Sequence, residues 1–276
     1  MRDYEFRPTR IAVLTSFSAP GITDLLASSS RGTAFEIAGV ISSETSLQAQ
    51  DVIEAAGVPV VMHPIRRFHS DNRLPLRNLH ARVEYDYKTA EILQGLKAEY
   101  VIAAGYRFIM TAPLLSEFPR RIIAIQDADL TGVDVHGGRP HAGLDAVRDA
   151  ILGGAESTRS TAYFVTEDVG RGPLFMVSAR YPVAPLAREA LARGAYQELD
   201  TYAALHRWWM RVSAFGEMMP RIAEIVAAGT MQIVGDVVWI DGVPGPCRMG
   251  EAASICADRQ APLGPGVPES CPYIKR

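Results

Sequence analysis

Several side chains that can carry out acid–base chemistry lie in one polar segment, residues 127–142. This segment contains Asp127, Asp129 and His136, and it follows an apolar run that ends at Gln126. A carboxylate at the end of a buried strand can act as a general base or stabilise a cationic transition state, and a histidine can transfer protons near neutral pH. The same residue types are common as caps, solvated loop carboxylates and exposed histidines, so both interpretations stay open.

The apolar runs predict the elements that must position this segment. Short runs rich in β-branched residues are typical of buried strands, and they occur at residues 10–15, 35–41, 58–62, 100–104 and 121–126. Helical patterns lie between several of them, at residues 21–26, 47–56 and 83–96. Strands that alternate with helices predict an α/β fold, with a Rossmann-like, mostly parallel twisted sheet covered by helices on both faces.

The second half of the chain is predicted to complete this sheet. A hairpin is expected from residues 161–166 and 174–181, with its turn at the glycines of residues 170–172. A long helix over 199–228 and a pair of strands within 231–240 follow. We therefore predict one domain over residues 1–250 and a tail rich in proline and glycine over residues 251–276.

Charge and composition argue against several classes of partner. The chain has 276 residues and a formal net charge of −3, which disfavours nucleic acid as the main partner because phosphate binding usually needs a basic face. The arginine-rich stretch at residues 63–79 is interpreted as a solvated loop, with a phosphate site as the alternative. No apolar run is long enough to span a membrane. The three cysteines lack zinc-site spacing, so we expect no metal and a reducing, cytoplasmic location.

Five segments in a fixed order resemble one enzyme family. They are YVIAAGYRFIM at 100–110, RIIAIQDADL at 121–130, HAGLDAVRDAILGG at 141–154, STAYFVTEDVGRGP at 160–173, and the strands of 231–243. Together they resemble the formyltetrahydrofolate-dependent formyltransferases, such as those that act on glycinamide ribonucleotide or methionyl-tRNA. The resemblance covers roughly residues 9–245 and implies the same Rossmann-like fold.

The resemblance also shows which functional side chains are missing. In the family, an asparagine and a histidine stabilise the developing oxyanion and an aspartate assists the histidine. The matching positions here are Ala124, Gln126 and Gly170. Gln126 can donate a hydrogen bond but cannot titrate, so ordinary formyl transfer loses its acid–base groups. Asp127, Asp129 and His136 are the candidates to replace them.

The family's folate pocket is built largely from main chain and apolar side chains, which tolerate substitution. The resemblance therefore implies a site for tetrahydrofolate or 10-formyltetrahydrofolate; the alternative is that the same residues are ordinary core and hairpin. The implied cofactor-binding residues are Tyr106, Arg107, Phe108, Ile109 and Met110 on one side and Val165, Thr166, Glu167, Asp168 and Gly170 on the other.

Three functions follow from a folate pocket without the usual catalytic groups. The first is transfer of a methyl or methylene group between a small donor and tetrahydrofolate, as in dealkylation or dehalogenation. The second is formyl transfer from 10-formyltetrahydrofolate to a small amine or amino sugar, and the third is folate binding without catalysis. The first is favoured because the polar loop after Gln126 is several residues longer than the loop usual in the family, and a protein that has lost its activity does not need such an insertion. The sequence leaves the oligomeric state open, with a homodimer as one alternative.

Overall fold

The structure is a computed structural model that describes residues 7–133, 138–140, 143 and 145–250. His136, the histidine expected to transfer protons, lies outside the described residues, as does the predicted tail at 251–276.

The described residues form thirteen strands and eight helices in a largely alternating order. In chain order they are β1 (Thr9–Thr15), α1 (Ile22–Ala27), β2 (Phe35–Ser42), α2 (Gln50–Ala55), β3 (Val60–Met62), α3 (Ile65–Asp71), α4 (Leu79–Gly95), β4 (Tyr100–Ala104), α5 (Ala112–Glu117), β5 (Ile122–Gln126), α6 (Ala146–Leu152), β6 (Ser157–Thr158), β7 (Thr161–Phe164), β8 (Leu174–Val177), β9 (Tyr181–Pro182), α7 (Pro185–Ala192), α8 (Tyr196–Ala228), β10 (Met231–Val234), β11 (Val237–Ile240), β12 (Val243–Pro244) and β13 (Cys247–Arg248).

The predicted α/β fold with a mostly parallel sheet is confirmed. Eight strands form the main sheet in the order β13-β8-β7-β5-β4-β1-β2-β3. Strands β3, β2, β1, β4 and β5 are parallel neighbours, and β13 is parallel to β8. Only β7 runs against its neighbours in this sheet, because it forms the predicted hairpin with β8 and pairs antiparallel with β5. The carboxyl ends of β1, β4 and β5 therefore meet at one edge, where open α/β sheets usually bind ligands.

Alternating residues of the central strands bury the two faces of the sheet. Ile11 and Val13 of β1 belong to a core with α1 and α8, whereas Ala12 and Leu14 belong to a second core with α4 and α5. Because successive side chains of a strand point to opposite faces, a continuous apolar run is what a sheet covered on both sides requires.

The prediction of a loop at residues 63–79 is wrong for the first half of that stretch, which forms helix α3. Ile65 and His69 are buried at a helical spacing, and Phe68 packs edge-on against Tyr85 of α4. Tertiary packing thus stabilises a helix in a stretch whose arginines suggested only solvent exposure. Helices α5 and α7 and strand β13 were also not predicted; β13 was missed because two residues carry no usable periodicity.

A buried histidine joins α8 to β6, which forms a separate two-stranded sheet with β9. His206 is 0% exposed, with Nε2 2.7 Å from Thr158 Oγ1 and Nδ1 3.2 Å from the Tyr202 hydroxyl. Thr158 Oγ1 donates in turn to the sulfur of Met210, so its oxygen is left to accept the Nε2 proton. Burial lowers the pKa of His206 to about 4, and the imidazole is therefore neutral at physiological pH.

This burial predicts a loss of stability in mild acid. Because the folded pKa of about 4 lies below the ordinary value of 6.5, the unfolded chain takes up a proton first as the pH falls below 6.5. Protonation of His206 in the unfolded chain should therefore lower the free energy of unfolding by about 2 kcal/mol as the pH falls from about 7.5 to about 5. Urea unfolding at both pH values should show that His206→Gln reduces this loss, whereas the exposed-site control His80→Gln keeps it. Equal pH dependence in all three proteins would contradict the assignment.

Candidate functional site

Two neighbouring cavities open near the carboxyl ends of β1, β4 and β5. The larger, of about 990 Å³, lies between the loop of residues 16–21, α1, α2 and α8. The smaller, of about 350 Å³, lies over β5, between the 106–110 segment after β4 and the 165–170 segment after β7. Gly105, Arg107, Arg207 and Arg211 line both cavities, and these four residues define the junction.

The small cavity brings together many of the residues singled out from the sequence. All of the 106–110 segment lines it, together with Gln126, Asp127, Val165, Thr166 and Gly170. Glu167, Asp168 and Asp129 line neither of the two cavities. Asp129 instead accepts hydrogen bonds from the backbone N–H and hydroxyl of Thr131, which is the local capping role that the sequence left open. The roles proposed for these residues stay predictions.

The three positions that the sequence resemblance assigns to the family's catalytic side chains lie together in the small cavity. Ala124, Gln126 and Gly170 all line it. Gln126 Nε2 donates to the Gly143 carbonyl oxygen at 3.2 Å, while Ala124 and Gly170 offer no polar side-chain atom. This wall of the cavity therefore has no side chain that titrates at these positions.

A buried ion pair on α4 holds the 106–110 segment. Arg82 Nε donates to the Ile109 carbonyl oxygen at 2.7 Å, and its Nη2 donates to the Tyr106 hydroxyl at 2.6 Å. The same Nη2 lies 3.1 Å from Asp86 Oδ1, and Asp86 Oδ2 accepts from the backbone N–H and hydroxyl of Thr111. Burial raises the pKa of Tyr106 to about 12, so the phenol stays protonated. One side of the cavity is thus fixed from behind by charge-assisted hydrogen bonds.

A second arginine holds the 165–170 segment. Arg139 Nη1 donates to the carbonyl oxygens of Gly170 and Gly172, at 2.7 and 2.9 Å. Gly172 must be glycine, because a Cβ there would lie 1.7 Å from the Phe164 carbonyl oxygen. The hairpin turn that carries Gly170 is therefore set by close backbone packing on one side and by a guanidinium on the other.

Asp127 is the most constrained carboxylate of the site. It is 4% exposed, and its Oδ2 accepts from Arg207 Nε at 2.8 Å and from Arg211 Nε at 2.6 Å. The two arginines are four residues apart on α8, so they point from the same face of the helix. Asp127 Oδ1 is buried without a hydrogen-bond partner among the described residues. Asp127 therefore acts first as an anchor that places two guanidinium groups at the junction.

The loop of residues 16–21 forms the opposite wall of the large cavity by close backbone contact. Gly21 has a φ of 77°, and a Cβ there would lie 2.5 Å from the Phe215 carbonyl oxygen of α8. A Cβ on Gly105 would similarly meet the Pro20 ring at 2.8 Å. Thr15 Oγ1 donates to the Ala104 carbonyl oxygen, which ties the end of β1 to the end of β4. These contacts set the distance between the loop and α8.

Sequence reasoning missed four charged residues of the site: Arg82, Asp86, Arg207 and Arg211. Each pair has a spacing of four residues within a helical pattern, and this was the available signal. That spacing is common on solvated helix faces, so it does not by itself identify a site.

Two other types of site find no support in the described part of the chain. No group of three or more His, Cys, Asp and Glu side chains there could hold a metal ion. None of the helices that the structure describes is both long enough and apolar enough to cross a bilayer.

Sequence comparisons connect the chain with known enzymes. A profile described as formyl transferase matches residues 9–190. Phosphoribosylglycinamide formyltransferase of Haemophilus influenzae is 27% identical over 135 residues, covering 48% of this chain and 59% of that protein. Formyltetrahydrofolate deformylase of Escherichia coli is 26% identical over 168 residues, covering 60% of this chain and 52% of that protein. The matches thus span little more than half the length of these relatives.

Solved structures show the same fold over a longer part of the chain. Glycinamide ribonucleotide transformylase 1 from Symbiobacterium toebii superposes with a TM-score of 0.64 and 25% identity, covering 84% of this chain and 94% of that one. A formyltetrahydrofolate deformylase from Pseudomonas syringae pv. tomato has a TM-score of 0.59 and 17% identity, covering 85% and 66%. The second likeness concerns the fold alone.

The pairing of Asp127 with α8 predicts that Asp127 and the neighbouring Asp129 contribute unequally to the free energy of unfolding. Asp127→Asn should lower the free energy of unfolding by about 2–3 kcal/mol, because it removes the charged acceptor of two arginines. Asp129→Asn should change it little, since asparagine keeps the oxygen that accepts from Thr131. Urea unfolding of both variants at neutral pH measures the difference. Equal stability of the two would show that the Asp127 cluster does not support the fold.

Proposed function

This chain belongs to the formyl transferase family, whose profile matches residues 9–190, and from that premise we propose that it is a tetrahydrofolate-dependent one-carbon transferase acting on a small molecule. In this proposal the reduced folate binds in the small cavity and the second substrate in the large one. The one-carbon group passes at the junction. The observation that carries the proposal is that two cavities share one boundary, formed by Gly105, Arg107, Arg207 and Arg211.

The small cavity suits a flat, largely apolar ring with polar edges. Its volume of about 350 Å³ lies within the range of small-ligand pockets. Ile109 and Val169, on the two facing segments, are 53% and 60% exposed, so apolar surface remains for a ligand to cover. Arg82 and Arg139 hold the backbone of these segments from behind. The residues present therefore fit a reduced folate, held mainly by main chain and apolar contacts.

The proposed chemistry is transfer of a methyl or methylene group from a small donor. When bound, tetrahydrofolate would supply the nitrogen that accepts a methyl carbon: the carbon–nitrogen bond forms as the bond to the donor's leaving atom breaks, the leaving atom keeps the electron pair, and the nitrogen's proton goes to solvent. Transfer of a methylene group takes two such displacements, at two folate nitrogens, and releases two leaving groups and two protons. Such a transfer needs positioning and exclusion of water rather than an oxyanion hole. This requirement agrees with Ala124 and Gly170 at two of the catalytic positions.

Arg207 and Arg211 would support this reaction electrostatically. Their guanidinium groups line both cavities and are fixed by Asp127 before any substrate arrives. A pre-oriented positive charge stabilises an anion that develops on a leaving group without further reorganisation. Dealkylation and dehalogenation both release such an anion.

Formyl transfer from 10-formyltetrahydrofolate to a small amine or amino sugar is the second candidate. The specific observation in its favour is the same arginine pair, because a guanidinium can also stabilise the oxyanion of a tetrahedral intermediate. The names of the relatives, phosphoribosylglycinamide formyltransferase and formyltetrahydrofolate deformylase, also favour formyl chemistry. Folate binding without catalysis is the third candidate. The absence of a nucleic-acid partner, the homodimer and the cytoplasmic location stay predictions.

Turnover assays separate the three candidates. The protein would be incubated with tetrahydrofolate and either 4-methoxybenzoate or dichloromethane, and separately with 10-formyltetrahydrofolate and glucosamine. We expect methyl- or methylene-tetrahydrofolate, detected by mass spectrometry, in the first incubation. Loss of the formyl group only when the amine is present would support the second candidate. Folate binding with no product in any incubation would favour the third.

Folate binding itself is tested by altering the small cavity. Ala124→Leu, which places a larger side chain against the cavity wall, should weaken tetrahydrofolate binding about tenfold or more in isothermal titration. Ile109→Asp should weaken it as well, and its exposed position makes folding insensitive to the change. Ala192→Leu on the exposed face of α7 is the matched control and should bind as the parent does. If the parent protein binds no reduced folate at millimolar concentration, the proposal fails.

A further inference from the structure

We propose that the large cavity binds a small anionic molecule with an apolar body, whose charged group contacts Arg207 and Arg211 at the junction. This inference rests on the proposed function, because it names the chemical class of the second substrate. It is carried by the charge of the junction, by the orientation of the two guanidinium groups and by the apolar wall of the large cavity.

Positive charge is concentrated where the two cavities meet. Three of the four residues that line both cavities are arginines: Arg107, Arg207 and Arg211. Among the described residues, Asp127 is the carboxylate that contacts this group at hydrogen-bond distance. Three positive charges against one negative charge leave an excess that an anionic ligand would neutralise.

Four carboxylates line the large cavity: Asp24, Glu44, Asp145 and Asp200. Among the described residues, none of them lies within hydrogen-bond distance of the arginines of the junction. Asp200 accepts from Arg148 Nε at 2.6 Å, so that pair is neutral. Asp145 lies 3.9 Å from Arg207 Nη1 and 69% of its side chain is exposed, so solvent screens its charge. None of the four carboxylates lines the small cavity, so the described residues that line both cavities carry an excess of positive charge.

Asp127 leaves the terminal nitrogens of both arginines available. It accepts from the Nε atoms of Arg207 and Arg211, whereas the described residues offer no hydrogen-bond acceptor to the Nη atoms of either side chain. A guanidinium carries five N–H donors in a fixed planar arrangement and forms paired hydrogen bonds with carboxylate or phosphate. Asp127 is therefore a positioning residue, which fixes both planes without occupying the groups that bind an anion.

The large cavity also has an apolar wall that the fold leaves exposed. Phe17, Val52 and Val212 come from the 16–21 loop, α2 and α8, and they are 52%, 52% and 54% exposed. Trp208 lines the same cavity. Apolar side chains from three separate elements that face one cavity favour a ligand with apolar surface over a fully hydrated one. An inorganic anion would use the arginines alone and should bind more weakly.

The anionic group has two sources that the same arginines would accept: a second substrate or the glutamyl tail of a folate. The apolar wall favours the second substrate, because it lines the large cavity, whereas the proposed folate site is the small one. The two sources are distinguished by tetrahydropteroate, which has the folate ring system but lacks the glutamate.

Binding of benzoate tests the proposal directly, with benzamide as its neutral counterpart and inorganic phosphate as an anion without an apolar body. Titrations would follow the tryptophan fluorescence of the protein, to which Trp208 of the cavity contributes together with Trp209 and Trp239. We expect benzoate to bind at least tenfold more tightly than benzamide or phosphate. Arg211→Met should weaken benzoate about tenfold and leave benzamide unchanged, and Arg207→Met provides the same test if the first variant does not fold. Arg221→Met, an exposed arginine of the same helix, should bind benzoate as the parent does.

Other outcomes would overturn the proposal. Equal affinity for benzoate and benzamide, or benzoate binding that neither arginine variant weakens, would show that the cavity does not select an anion. Weaker tetrahydrofolate binding in Arg211→Met, with unchanged tetrahydropteroate and benzoate binding, would assign the arginines to the glutamyl tail. The benzoate titrations are carried out without folate. Benzoate binding that depends on the arginines would therefore support this inference even if the protein binds no folate. Folate binding would likewise support the proposed function even if benzoate does not bind.

Discussion

The site depends on one carboxylate oxygen, Asp127 Oδ2, which accepts from Arg207 and Arg211 at the same time. A buried charge is tolerated in a protein only when it is paired and hydrogen-bonded. Asp127 follows the last residue of β5, whereas the arginines lie 80 and 84 residues later on α8. This contact therefore joins the sheet to the longest described helix. The helix in turn supplies one wall of each cavity. Without the carboxylate, two positive side chains would repel each other across the position where the substrates are proposed to meet.

An arginine fixes the backbone on each side of the small cavity. Arg82 binds the Ile109 carbonyl oxygen and Arg139 binds those of Gly170 and Gly172. In each case a guanidinium fixes backbone, and backbone forms the wall that a ligand would touch. A rigid wall lowers the entropy lost on binding and holds reacting groups in place. A wall fixed in this way keeps its shape independently of side chains such as those of Ala124 and Gly170, which carry no polar atoms.

The sequence predicted most strands and helices of the main sheet, but it did not predict which charged side chains pair with one another. Strands such as β1 and β4 were recognisable because strands covered on both faces need unbroken apolar runs. Helix α3 was missed because its packing on α4, where Phe68 contacts Tyr85, is a tertiary contact that no local pattern shows. The residues of the small cavity came from resemblance to a family. The partners of Asp127 could not be predicted, because nothing in a linear sequence says which of many arginines a distant carboxylate will meet.

The contact between the 16–21 loop and α8 has a consequence for what the large cavity can admit. Gly21 lies against the Phe215 carbonyl oxygen, and the carboxylate of Asp24 lies where a side chain on Gly216 would project. At Gly21, main chain faces main chain, so no rotamer change there can make room. A bulkier ligand at this point would have to separate the backbone of the loop from that of α8. Relatives of this protein that accept broader molecules should differ first at Gly21.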